Sequence, residues 1–108
     1  MRKIYKYTLD LAEMVNKQTD RLTIDMPTTA LLHHVGVQND LICLWAEVDT
    51  RFLNGTRTFT VVGTGHNIPE DAKSYDYKGT VQMPPFVWHI YEIKGYVQGQ
   101  ALQSGASA

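Results

Sequence analysis

The feature that most constrains this chain is a succession of short runs rich in Val, Ile, Thr, Tyr, Phe and Trp, each ended by turn residues. They are RKIYKYTL, RLTIDM, TALLHHVGVQ, LICLWAEVD, RTFTVVGTG, YKGTVQM and FVWHIYEI. Branched and aromatic side chains suit the pleated surface of a strand, and such runs punctuated by Gly, Pro, Asn and Asp describe a mainly β domain. A chain of 108 residues has material for one core rather than two. The expected fold is a small antiparallel β-sandwich or barrel-like domain over residues 1–94, followed by a Gly/Ser/Ala/Gln-rich tail, residues 95–108, that frays or reaches across a neighbour. One short N-terminal helix is expected in DLAEMVNKQ, where Asp10 is placed to cap and Glu13 stands three residues on, as in a capping box.

The sharpest local expectation is a hairpin turning at Gln38-Asn39-Asp40-Leu41, because Asn and Asp tolerate the positive φ angles of a two-residue turn. That turn sets a register in which Val37 opposes Ile42, Val35 opposes Leu44, His33 opposes Ala46 and Leu31 opposes Val48. These pairs form a core face and make His33 a hydrogen-bonded core histidine. On the other face Gly36 meets Cys43, His34 meets Trp45 and Leu32 meets Glu47, a mixture of aromatic and polar groups.

The closing run poses a different problem. Phe86, Trp88 and Ile90 point one way and Val87, His89, Tyr91 and Ile93 the other, so both faces are too apolar for a strand with one side in water. A sandwich, a closed barrel or an oligomer interface would each cover the second face, and a homo-oligomer is expected. The prolines of MPPF remove two backbone donors and mark a bend before this strand.

Ten basic residues are spread among eleven acidic ones, for a net charge of -1. Non-specific binding to the phosphate backbone of nucleic acids needs a clustered basic surplus and is not expected. No apolar run approaches the roughly 20 residues of a membrane helix, and MRKIYKYTLD lacks the apolar stretch of a signal peptide. The expected location is cytoplasmic, with no membrane partner. A single cysteine, Cys43, forms no internal disulfide and reads as a small buried hydrophobe.

The chemistry is most suggestive in VVGTGHNIPED, residues 61–71. Glycines let backbone N–H groups converge on an anion, and Thr64, His66 and Asn67 add side-chain donors. The dinucleotide fingerprint and the Walker loop are both absent: no third glycine opens a helix, and Pro69, Glu70 and Asp71 follow instead. The competing reading is simply the end of a strand. His33, His34, His66 and His89 show no paired spacing for zinc, although His34, Cys43 and Glu47 share a face; no metal and no cofactor is expected. No catalytic constellation is evident, so a binding protein is expected rather than an enzyme. Aromatic faces at Trp45 and Trp88 and a guanidinium at Arg57 complete a candidate ligand set with Gly63, Thr64, Gly65, His66 and Asn67.

HHVGVQNDLICLWAEVD, RTFTVVGTGHNIPED and YKGTVQMPPFVWHIYE together resemble a family of small uncharacterised proteins encoded mainly by tailed phages and prophages. The VGTGH-IPED loop and the GT-Q…F-WH-YE strand carry the likeness over roughly residues 2–93; AEMVNKQ and the tail stand outside it. The resemblance brings no activity and no catalytic residues. It implies a phage accessory factor, in the host cytosol, that counters host defence by sequestering a nucleotide-type signal. The alternatives are a factor that occludes a host defence protein by direct binding and a phage structural or housekeeping protein.

Overall fold

In the computed structural model, which describes residues 1–95, the β-rich runs form seven strands in two antiparallel sheets: β1 (Arg2–Leu9), β2 (Leu22–Pro27), β3 (Leu31–Gln38), β4 (Leu41–Asp49), β5 (Asn54–Gly63), β6 (Ser74–Met83) and β7 (Phe86–Lys94). The first sheet has the order β1-β4-β3 and the second β2-β5-β7-β6, a sandwich-like arrangement. The tail expected from residue 95 lies, beyond Gly95, outside the described residues. No helix among the described residues is long and apolar enough to cross a membrane.

One helix, α1 (Leu11–Lys17), links β1 of the first sheet to β2 of the second. Asp10 caps it by accepting from the Ala12 N–H at 3.0 Å. Glu13 does not close a reciprocal capping box; its carboxylate pairs with Lys17 one turn on, at 3.0 Å. Gln18, at φ 52°, ends the helix, and its N–H returns to carbonyls of the last turn. Leu11 and Met14 pack against the core while Val15 stays 75% exposed.

The Asn39-Asp40 turn forms with φ of 53° and 61°, both in the left-handed region that a tight hairpin requires. Val37–Ile42, Gly36–Cys43, Val35–Leu44 and His34–Trp45 pair as expected. Beyond His34 the register shifts, so that Leu32 opposes Ala46 and Leu31 opposes Glu47. His33 is the extra residue of this bulge. A one-residue slip reverses facing, which turns Leu32 toward the core and puts His33 outside, its Nε2 3.0 Å from Glu47 Oε1. The expected core histidine is therefore an exposed one.

Ile42, Leu44, Ala46 and Val48 of β4 meet Phe59, Val61, Val81 and Ile90 of the second sheet in a single core. Phe59, Leu44, Ile42 and Ile90 are fully buried, each contributing about 1.5–3 kcal/mol by leaving water. The sheets approach most closely where β3 passes β6. A Cβ at Gly79 would stand 3.0 Å from Val35 Cβ, so the absence of a side chain there permits the contact. A second register shift, between Tyr77 and Gly79, frees Lys78 to reach inward. The Pro84-Pro85 bend closes the β6–β7 hairpin.

The second face of β7 is covered in part by the protein's own chain. The β5–β6 connection folds back over Thr60 and Val62, which are buried, and is tied down where Arg21 Nη2 reaches Asp71 at 2.7 Å; Thr60 Oγ1 in turn donates to the Asp20 carbonyl at 2.6 Å, holding the α1–β2 connection to β5. Ile93 is buried on the same face, and His89 and Tyr91 are half-buried.

Candidate functional site

Gly63, Thr64, Gly65 and His66 make a hydrogen-bonded turn rather than an open anion nest. The His66 N–H donates to the Gly63 carbonyl at 2.9 Å, and the Thr64 N–H donates to the Val87 carbonyl at 3.2 Å. Gly65, at φ 88°, occupies the third position of a type II turn, where a side chain is disfavoured. Two of the amides expected to cradle a phosphate are thus engaged inside the protein.

Gly63 has a further role. A Cβ there would lie 2.8 Å from His66 Nδ1 and 3.1 Å from a Trp88 ring carbon. The missing side chain lets imidazole and indole overlie the same backbone position. Three of the expected ligand residues, Gly63, His66 and Trp88, are brought together here, with Thr64, Gly65 and Asn67 in the same connection.

Arg57 is placed elsewhere. It lies on the inner face of β5, and its Nε and Nη2 donate to the two carboxylate oxygens of Glu92, each at 2.7 Å, while Nη1 donates to the Ala30 carbonyl at 2.7 Å. Side-chain exposures of 11% for Arg57 and 2% for Glu92 mark a buried ion pair. Burial alone would push the Glu92 carboxyl up, but the Arg57 hydrogen bonds and charge, with Lys78 and Lys94, outweigh it and hold the group below its ordinary value. A β-strand advances about 3.3 Å per residue, so six residues separate Arg57 from the Gly63 turn by roughly 20 Å. The guanidinium expected to meet a ligand phosphate instead neutralises a buried carboxylate. Arg51 is likewise committed, to Asp49 at 2.6 Å.

Trp45 belongs to the outer face of the first sheet. Its ring tilts against His34 at 5.8 Å, and the two rings overlie Gly36. Cys43 is buried beside it, its thiol 3.6 Å from the Leu41 carbonyl. No group of three His, Cys, Asp or Glu residues among the described residues converges to hold a metal ion.

Trp88 opens onto apolar surface beside the turn. A groove of about 390 Å³ runs between α1 and β5, walled by Leu11, Met14, Val15, Val61 and Trp88. Leu11 and Trp88 also wall a neighbouring hollow of about 460 Å³, completed by Val37, Met83 and Phe86. Phe86 stacks on Trp88 at 5.4 Å and is 56% exposed. On the far side of Val61 a third hollow, about 300 Å³, is lined by Asp20, Thr60, His66 and Asn67. The charged groups lining the three are Asp20 and Asp40. A pocket with aromatic and aliphatic walls, few polar groups and no lining cation suits a flat, uncharged or cationic molecule better than a phosphate.

A polar chain on the outer face of the second sheet escaped the sequence reading. Thr64 Oγ1 lies 2.8 Å from His89 Nε2, His89 Nδ1 lies 3.0 Å from Thr80 Oγ1, and Thr80 Oγ1 meets the Tyr77 hydroxyl. His89 is opposite Thr80 across β6 and β7, a pairing that only the strand order reveals.

A family model describing a domain of unknown function, DUF7352, matches residues 1–99. The chain belongs to the DUF7352 family. The match takes in all seven strands, α1 and every candidate residue of this DUF7352 domain. No curated protein and no solved structure matches the chain.

Proposed function

We propose that this is a binding protein that retains a flat, weakly polar small molecule at the end of the sandwich where α1, Trp88 and the Gly63 turn meet. The observation that carries this reading is the groove itself: an aromatic pair, Trp88 and Phe86, beside aliphatic walls from α1 and β5, with no cation in the lining. In the phage setting that the sequence resemblance implies, retention of such a molecule would withdraw a signal from host defence. Of a nucleotide-type signal, the base is the part this groove suits; His66 and Asn67 line the separate hollow on the far side of Val61. The phosphate part lacks support, because Arg57 is engaged by Glu92.

Native mass spectrometry of the purified protein with nucleosides, cyclic nucleotides and ADP-ribose-type nucleotides tests the reading and gives the subunit number at once. Retention of an intact ligand by the protein, and its loss in Val15→Glu, is the expected result. Val15 lines the groove and is 75% exposed, so the change leaves the core untouched. Failure of every ring compound to bind, or equal retention by Val15→Glu, would remove this site and turn the search to protein partners.

A further inference from the structure

The chain from Thr64 to Tyr77 has the order of a hydroxyl activated for catalysis. With the proton on Nδ1 of His89, each link is satisfied in one direction: Thr64 O–H donates to Nε2, Nδ1–H donates to Thr80 Oγ1, and Thr80 O–H donates to the Tyr77 oxygen. A hydroxyl, an imidazole within hydrogen-bond reach and a third group that fixes the ring are the three parts of an activated nucleophile. Thr64 is exposed, at the second position of the turn, while His89 is half-buried against the sheet. Gly65, next in the chain, has no side chain to block an approaching group. The Gly65 N–H donates to no backbone carbonyl among the described residues, leaving an amide beside Thr64 for a developing oxyanion. None of Thr64, Thr80, Tyr77 or His89 lines the apolar groove.

We propose that Thr64 is a nucleophile for acyl transfer from small activated esters, with His89 as its general base and Thr80 as the residue that positions the imidazole. Thr64 Oγ bonds to the acyl carbon as its proton passes to His89 Nε2. The bond from that carbon to the ester's leaving oxygen then breaks, and the leaving oxygen takes the proton from Nε2. Water repeats the sequence in reverse, releasing the carboxylic acid and restoring Thr64. The bare hydrogen-bonded chain would hold the turn against the sheet without any of these steps, and that is the alternative the test separates.

The test uses the full chain with p-nitrophenyl acetate, following nitrophenolate release together with intact mass and peptide mapping. Acetyl on Thr64 is expected. Release should fall at least about 100-fold in Thr64→Val and in His89→Gln, the range for loss of a positioned base. Thr64→Ser should keep activity; Thr80→Val should lower it and Thr80→Ser restore it, a rescue that turns on the hydroxyl rather than on packing. Absence of acetyl from Thr64, or release by Thr64→Val equal to that of the parent protein, overturns the proposal. Thr64 is exposed in a turn, so its variant decides the matter even where a change at His89 disturbs the fold.

Discussion

Replacing Arg57 by Met tests the account of the buried ion pair. The change removes three hydrogen bonds, two to Glu92 and one to the Ala30 carbonyl, and leaves a carboxylate that is 2% exposed with Lys78 at 3.7 Å and the charge of Lys94 in place of the guanidinium. Removing one partner of a buried pair costs about 3–5 kcal/mol, a large share of the roughly 5–15 kcal/mol that holds a domain folded. At about 4–8 °C per kcal/mol for a domain of this size, the midpoint of thermal unfolding should fall by at least about 12 °C at pH 7. The pH dependence carries the sign. In the parent protein the folded-state pKa of Glu92 lies below its unfolded value, so its contribution is complete above roughly pH 4.3 and disappears as pH falls through the lower, folded value. In the variant the desolvation of Glu92 is no longer opposed by Arg57, which favours the neutral acid. The stability gap between the two proteins should therefore narrow as pH drops from 7 toward 3. Arg57→Met with Glu92→Leu should recover most of the loss, because Lys78 keeps Asp76 at 2.7 Å. Thermal melts give the midpoint, and urea unfolding followed by tryptophan fluorescence at several pH values gives the free-energy gap. A single-variant loss under about 1 kcal/mol at pH 7, or a gap independent of pH, would refute the reasoning.

Two glycines should respond differently to alanine. Gly79→Ala places a methyl 3.0 Å from Val35 Cβ at the seam between the sheets and should cost about 1–3 kcal/mol in chemical denaturation; Gly36→Ala meets the exposed His34 ring, which can swing away, and should cost clearly less. Asp10→Ala removes the cap of α1 and should lower stability by about 0.5–2 kcal/mol, with amide exchange rising first at Ala12. Gly63→Ala would drive a methyl between His66 and Trp88, and a shift in tryptophan emission without loss of β-sheet circular dichroism is the expected signature; unchanged emission would place the two rings apart.

Local chemistry made much of the fold legible in advance. β1 and β4 have the bounds their composition suggests, and the Asn39-Asp40 turn and the α1 cap form where their residue types favour them. Each of these depends on residues within a few positions of one another. The glycine turn also closes locally, on one Gly at positive φ, but the same residues pointed as readily to an anion nest or a plain strand end. What the sequence could not display was any relation between distant positions. Period-two alternation predicts facing only while the register is unbroken, and the shifts after Leu32 and after Tyr77 turned His33 outward and freed Lys78 to reach inward.

The strand order decided the chemistry. Arg57 and Glu92 are 35 residues apart, and the pairing of β5 with β7 brings them onto one inner face, where burial makes each the obligatory partner of the other. Thr64 and His89 are 25 residues apart and meet only because the turn after β5 folds over the outer face of β7. Local propensity, capping and turn geometry act through neighbouring residues and are written in the sequence itself. Hydrogen bonding and charge neutralisation depend on distances of about 3 Å, which for these pairs exist only once the sheets are assembled.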